Sequence, residues 1–181
     1  RAAGIRQTRG TLEEVLALDP DLIVRNWGGP WDAEAVYARF GTRVLQVGDA
    51  PDFAAARADV IAAGRALGHP ERGEAIARDL NRRLAHLRHS APQQRLPVMY
   101  LSAGGAVAGR GVLMDAVIEA SGGRNLRTET SWAVLPLEQM IDAPPALIAL
   151  GFFDTGRTRM NAWSPSRHPT LRRTLAGART V

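Results

Sequence analysis

One glycine-rich segment could present backbone N–H groups to an anion: Gly104-Gly105-Ala106-Val107-Ala108-Gly109-Arg110-Gly111. It stands between an apolar run and a helix-forming run, where a phosphate loop would sit. The Walker pattern needs Lys and then Ser or Thr, whereas this loop offers Arg110 and then Gly111, so nucleotide hydrolysis is not expected. The four histidines are His69, His86, His89 and His168. His86 and His89 share a helix face, but no acidic residue stands at matching spacing, so they read as surface histidines and not as metal ligands. Ser102 lacks the G-x-S-x-G elbow of a serine hydrolase. The chain has no cysteine, which excludes disulfides, thiolate zinc sites, iron–sulfur clusters and cysteine nucleophiles together. No catalytic site is assembled from these residues.

The elements that would position such groups follow from length and pattern. A chain of 181 residues with 45% hydrophobic and 23% charged residues suits one domain or two small lobes, and disorder is not expected. No apolar run approaches the ~20 residues that span a bilayer. The net charge is +5, and all 23 basic residues are arginine. They are dispersed, in pairs at most (Arg82–Arg83, Arg172–Arg173), and only 6% of residues are aromatic, so a nucleic-acid partner is not expected.

Thr11 is a good N-cap, and Glu14 three residues on completes a capping-box pattern before a short helix through Leu18. Pro20 stops it, and Asp21–Val24 reads as a buried strand. Asp32 can cap a helix to about Phe40, with Val36 and Phe40 at helical spacing and Trp31 as its anchor. Gly41 ends that helix, and Arg43–Val47 is the next strand. This α-β-α-β order with short connections points to a parallel sheet covered by helices. From Asp52 to Ser90 the chain is nearly all helix former, broken into two helices at Gly68-His69-Pro70. Ile76, Leu80, Leu84 and Leu87 form an apolar stripe on the second, a rod of about 30 Å. The α/β pattern then resumes: strand Pro97–Leu101, the glycine-rich loop, helix Val112–Ala120 stopped by Gly122-Gly123, short helix Leu137–Ile141, strand Ala146–Leu150, a long loop Gly151–Pro165 and short helix Pro169–Leu175. Ala178–Val181 reads as the first residues of a strand.

Two stretches match without a gap: LEEVLALDPDLIV at 12–24 and LEQMIDAPPALIA at 137–149. Leu12/Leu137, Glu13/Glu138, Pro20/Pro145, Leu22/Leu147 and Ile23/Ile148 are identical pairs. The repeat predicts two similar lobes, one before the long helix and one after it. Glu13 and Glu138 then stand at equivalent places, able to meet arginines on a symmetric partner.

The order of "LDPDLIV", "GTRVLQV", "ALGHPERGEAIARDL", "GRGVLMDAVIEASGGRNL", "LPLEQMIDAPPALIAL" and "HPTLRRTL" resembles the class III periplasmic substrate-binding proteins of ABC importers for ferric siderophores, haem and vitamin B12. The resemblance runs from about Thr11 to Val181. It implies a fold of class α/β: two three-layer α/β lobes joined by one long helix, with the ligand in the cleft between them. The division implied is a partial N-terminal lobe (1–51), linking helices (52–94) and a C-terminal lobe (95–181). The family's first βα unit and leader would precede Arg1 and a closing strand and helix would follow Val181, so the N-terminal lobe is expected to be incomplete. The resemblance also implies that a glutamate on each lobe docks onto permease arginines, and Glu13 and Glu138 stand in those places. Vitamin B12-binding members have cleft tryptophans at positions matching Trp27 and Trp132, and a phenylalanine where this chain has Ala106.

On that basis Trp27 and Trp132 offer flat apolar faces to a macrocycle or catecholate. Gly28, Gly104 and Gly105 leave room for ligand approach. Arg110, Arg157 and Arg159 suit anionic groups, and Phe152, Phe153 and Trp163 sit in the long loop. The expected function is capture of a metal chelate, a ferric siderophore, haem or cobalamin, and delivery to an inner-membrane permease without chemistry. No cofactor and no direct protein–metal site are expected. The protein is expected to be a monomer, periplasmic or lipid-anchored. The rival readings are a small α/β enzyme using the Gly104–Gly111 loop as an anion site, and a sensory relative with no transporter.

Overall fold

A computed structural model describes residues 4, 9–26, 32–102, 105–134, 145–151, 169, 173, 177 and 179–180. In chain order the elements are α1 (Leu12–Leu16), β1 (Leu22–Arg25), α2 (Ala33–Arg39), β2 (Arg43–Gln46), α3 (Phe53–Ala66), α4 (Pro70–Ser90), β3 (Pro97–Ser102), β4 (Ala106–Ala108), α5 (Leu113–Ala120), β5 (Arg124–Asn125), β6 (Trp132–Val134), β7 (Leu147–Gly151) and β8 (Arg179–Thr180). The class is α/β, as expected. Contacts divide the chain into two compact units: Arg1–Asp49 with Ala58–Ala75, and Ala50–Arg57 with Ile76–Val181.

In the first unit β1 and β2 pair in parallel, Leu22 opposite Arg43 through Arg25 opposite Gln46. The Thr11 hydroxyl accepts from the Glu14 N–H, as the capping pattern predicts. The reciprocal half of the box does not form. The Glu14 carboxylate accepts instead from the Arg9 N–H at 2.7 Å and pairs with the Arg9 guanidinium at 3.4 Å. Helix α1 ends at Leu16, two residues early, where Asp19 turns to φ 47° ahead of Pro20. Asp32 stands at the N-cap of α2 but makes no side-chain cap bond. The face that α2 buries is Ala33 and Tyr37, four apart; Phe40, expected on the packed face, is the C-cap residue and is 66% exposed. Gly68, at φ 76°, breaks the long helical stretch where expected. Gly64 and Gly73 then let α3 and α4 touch: a Cβ on Gly64 would lie 2.8 Å from the Gly73 Cα.

The second unit is built on a six-stranded sheet in the order β6-β4-β3-β7-β8, with β5 also on β3. β7 and β8 run parallel to their neighbours, Val98 opposite Leu147 and Leu147 opposite Arg179. β1 and β7 start at the matched repeat residues Leu22 and Leu147, each after its proline, and both pair in parallel. The helix half of the second repeat, Leu137–Ile141, lies outside the described residues. β3 is buried on both faces, which explains its unbroken apolar run. Met99, Leu101, Val107 and Ile148 pack on one face. Val98, Tyr100 and Ala108 pack on the other with Ile118 of α5. On α4 the buried positions are Gly73, Ala77 and Leu84, not the whole predicted stripe, because Ile76 and Leu87 are exposed. Gly122, at φ 84°, ends α5 as expected; the Gly123 N–H returns to the Ile118 carbonyl.

Candidate functional site

The glycine-rich segment is not an anion loop. Ala106–Ala108 form β4, antiparallel to β3, with Val107 and Ala108 fully buried. The Gly105 N–H donates to the Ser102 carbonyl, and the Ala106 N–H donates to the Ser102 hydroxyl at 3.0 Å, so Ser102 closes a hairpin. Gly105 takes φ 84° there. At the other end the Gly111 N–H donates to the carboxylate of Asp115, which lies in the first turn of α5. The Gly111 N–H ahead of that helix is thus already taken by a carboxylate of its own chain and is not left for a phosphate. The anion-site enzyme reading loses its structural basis.

What the hairpin does instead is bring two candidate residues onto paired segments. Ala108 pairs with Trp132 on β6, an edge strand to which sequence patterning assigned no element. Beyond β4 the antiparallel ladder stops, and an isolated parallel bridge joins Arg110 to Thr130. The Arg110 N–H donates to the Glu129 carbonyl at 2.7 Å, and the Arg110 carbonyl accepts from the Ser131 N–H at 2.9 Å. Arg110 therefore faces the Glu129–Ser131 segment that leads into Trp132, and not a further step of the antiparallel ladder. The Arg110 side chain is exposed and the indole is 49% exposed. An exposed guanidinium and a half-exposed indole thus belong to two segments that pair with each other.

Three residues make that arrangement possible, and sequence reading singled out none of them for it. Gly109 lies so close to the facing segment that a Cβ would overlap the carbonyl oxygens of Glu129 and Ser131. Ser131 holds the left-handed value φ 69°, an uncommon state for a residue with a side chain. Tyr100, on β3, meets Trp132 edge to face with ring centroids 5.7 Å apart. Its ring also occupies the space that a Gly151 side chain would need. Burial pushes the Tyr100 phenol above its ordinary pKa.

Of the other expected ligand residues, Trp27, Gly28, Gly104, Phe152, Phe153 and Arg157 lie outside the described residues, as do Trp163 and the docking residue Glu138. Glu13 is described: it is exposed in the first turn of α1, and no partner among the described residues faces its carboxylate. Glu14 beside it is held by Arg9, so the two neighbouring glutamates differ in what they can offer a partner. The Arg82 and Arg83 pair is bound to Asp79, which removes it as a free basic patch. Among the described residues no cluster of three or more His, Asp or Glu side chains could hold a metal ion, and His86 and His89 are exposed on α4. A cavity of about 510 Å³ in the second unit is lined by Asp52, Phe53, Arg88, Arg95 and Glu119. Its two cations and two anions balance, and Arg95 and Glu119 pair with each other. Among the described residues no helix is long and apolar enough to cross a membrane.

The chain can be compared with known proteins. No curated protein matches the chain. A solved periplasmic heme-binding protein from Roseiflexus sp. RS-1 superposes with a TM-score of 0.69 at 28% identity, covering 80% of this chain and 59% of that one. A periplasmic heme-binding protein from Pseudomonas aeruginosa gives 0.66 at 28% identity, covering 93% and 60%. The periplasmic vitamin B12-binding protein of Vibrio cholerae gives 0.62 at 25% identity, covering 77% and 56%. The chain thus spans less than two thirds of the length of these relatives. These neighbours are periplasmic binding proteins for heme or vitamin B12. The family model described as periplasmic binding protein matches residues 6–164, so the chain belongs to the periplasmic binding protein family, as the order of its motifs implied.

Proposed function

We propose that the chain is the substrate-binding component of an ABC importer, capturing a planar or macrocyclic metal chelate and delivering it to a permease without chemical change. One observation carries this reading: the half-exposed Trp132 of β6 and the exposed Arg110, just beyond β4, stand on two segments that pair with each other. An apolar ring face with a few placed polar groups suits a ligand that is flat in its body and anionic at its rim. Ferric siderophores, haem and cobalamin all combine a large organic body with polar edges. The haem- and B12-binding neighbours support the tetrapyrrole end of that range. The metal arrives and leaves inside the chelate, so the protein needs no metal ligands for this task.

Gly105 and the tip residues Trp27, Gly28, Gly104, Phe152, Phe153 and Arg157 complete the proposed contacts. Glu13 and Glu138 are the proposed docking pair for permease arginines, and the exposure of Glu13 in the first turn of α1 supports its half of that role. The proposed division remains a partial N-terminal lobe (1–51), linking helices (52–94) and a C-terminal lobe (95–181). The protein is proposed to work as a monomer in the periplasm, free or lipid-anchored. The test is a tryptophan-fluorescence titration of the purified protein with haemin, cyanocobalamin and a ferric catecholate. Saturable quenching by at least one of them, with the chelate recovered unaltered, supports the reading. Chemical turnover of the chelate, or no binding of any of the three, overturns it.

A further inference from the structure

β3 has two edges, and β7 takes one of them from Val98 to Ser102. The other edge is shared: β5 pairs with Pro97 and Val98, and β4 pairs with Leu101. Where β4 leaves and β5 begins, one buried side chain joins them. Asn125 is 6% exposed. Its carboxamide nitrogen lies 3.1 Å from the Ala108 carbonyl, 3.4 Å from the Gly109 carbonyl and 2.9 Å from Asp115 Oδ1. Its oxygen accepts the Arg127 N–H at 3.1 Å. The reversed amide would set an oxygen against three acceptors, so the surroundings fix its orientation. The second oxygen of Asp115 accepts the Gly111 N–H at 3.3 Å.

These bonds bracket Arg110. The Gly109 carbonyl before it and the Gly111 N–H after it are held by the Asn125–Asp115 pair. Its own N–H and carbonyl are held by Glu129 and Ser131. A backbone fixed from both sides carries a side chain left exposed. We infer that Asn125 and Asp115 are positioning residues for ligand recognition: through the pinned Gly109 and Gly111 they set where the Arg110 guanidinium is presented, opposite the Glu129–Ser131 segment that leads into Trp132. The inference rests on the proposed binding function only for its ligand half; the pinning is a property of the chain itself. The gain is preorganisation, because a cation already held in register loses less freedom on binding.

The test uses Asn125→Asp, which sets a carboxylate against Asp115 and two carbonyls, and the swap Asn125→Asp/Asp115→Asn, which restores a carboxamide–carboxylate pair in reverse. Two readouts are taken on each: amide hydrogen exchange, and affinity for haemin and cyanocobalamin. Asn125→Asp is expected to speed exchange at Arg110, Gly111 and Ser131 while Met99 to Leu101 in β3 keep their protection. It is expected to weaken chelate binding about tenfold, as for one lost hydrogen bond to a charged group. The swap should recover part of both. Adding Arg110→Ala to Asn125→Asp should weaken binding no further than Arg110→Ala alone. Exchange that rises equally in β3, or affinity losses from Asn125→Asp and Arg110→Ala that simply add, would overturn the positioning role. A wild-type protein that binds neither chelate would sink the ligand reading instead, and the exchange pattern would still decide the pinning.

Discussion

The ring of Tyr100 meets the indole of Trp132 edge to face, at 5.7 Å between centroids and 74° between planes. The two residues belong to β3 and β6, with β4 between them. Ala108 of β4 is small and buried, which lets the rings reach each other across it. One side of Trp132 is therefore held by the core of its own unit while about half of the residue stays in solvent. An indole anchored in this way is a rigid surface, because its rotamer is set before any ligand arrives.

Truncating that surface should separate stability from binding. Trp132→Ala removes an aromatic pair worth about 0.5–1.5 kcal/mol beyond its buried area, so stability should fall by at least that amount. Chelate affinity should fall by more, about a hundredfold, as at an aromatic hot spot worth more than 2 kcal/mol. Val134, two residues on and 75% exposed, is the control: Val134→Ala should leave stability nearly unchanged. Urea unfolding and fluorescence titration of the two variants check both statements.

The sign of the pH dependence at the alkaline end follows from Tyr100. Burial raises its pKa in the folded state. The unfolded chain therefore loses the phenolic proton at lower pH than the folded one, and ionisation favours unfolding. The native phenol costs nothing below the ordinary tyrosine pKa of about 10, and stability falls as pH rises beyond it toward the raised folded value. Melting temperature should decline above that pH with a component that Tyr100→Phe abolishes. An identical decline in the variant would contradict the assignment.

The facing segments around Arg110 should respond in opposite directions to two small substitutions. Gly109→Ala drives a Cβ into two backbone carbonyls, which cannot rotate away, and should cost about 1–3 kcal/mol or more. Ser131→Gly relieves a left-handed residue and should raise stability by a fraction of about 1 kcal/mol. Thermal unfolding of both variants measures this directly. A neutral Gly109→Ala would mean the Arg110–Thr130 pairing is not held as described.

Glu13 and Glu14 should also part company. Glu14→Gln breaks the link to Arg9 and should loosen the start of α1. Glu13→Arg should leave stability and chelate affinity intact while, with Glu138→Arg, it abolishes uptake in cells. Loss of chelate affinity in that double variant would remove the docking assignment.

Much of the fold was legible because it depends on local chemistry. Thr11 caps α1, Gly68 breaks α3 from α4, and Leu22 and Leu147 open parallel strands, each readable from neighbours in sequence. The misreadings share a different cause. Two- and three-residue strands such as β5 and β6 have no period of their own; they exist because β3 and β4 offer open edges. Phe40 and Tyr37 are both aromatic residues on α2, and only packing chooses Tyr37. The glycines near Gly105 mark a turn in either reading, but whether Ala106–Ala108 forms a loop or a strand depends on the partners β3 and β6. At the site, Trp132 and Arg110 were readable as residue types, while Tyr100 and Asp115 were not. Asn125 was visible as the end of the Gly122-Gly123-Arg124-Asn125 segment, but its role comes from contacts made 10 to 17 positions away.

The central claim is that Trp132 contacts the chelate. It is tested most directly with a variant in which Trp27, Trp31 and Trp163 are phenylalanine, leaving Trp132 as the single indole of the chain. Titrated with haemin and cyanocobalamin, its fluorescence should be quenched saturably, in step with the change in the chelate's own absorbance. Binding seen in the absorbance with Trp132 emission unchanged would contradict the account.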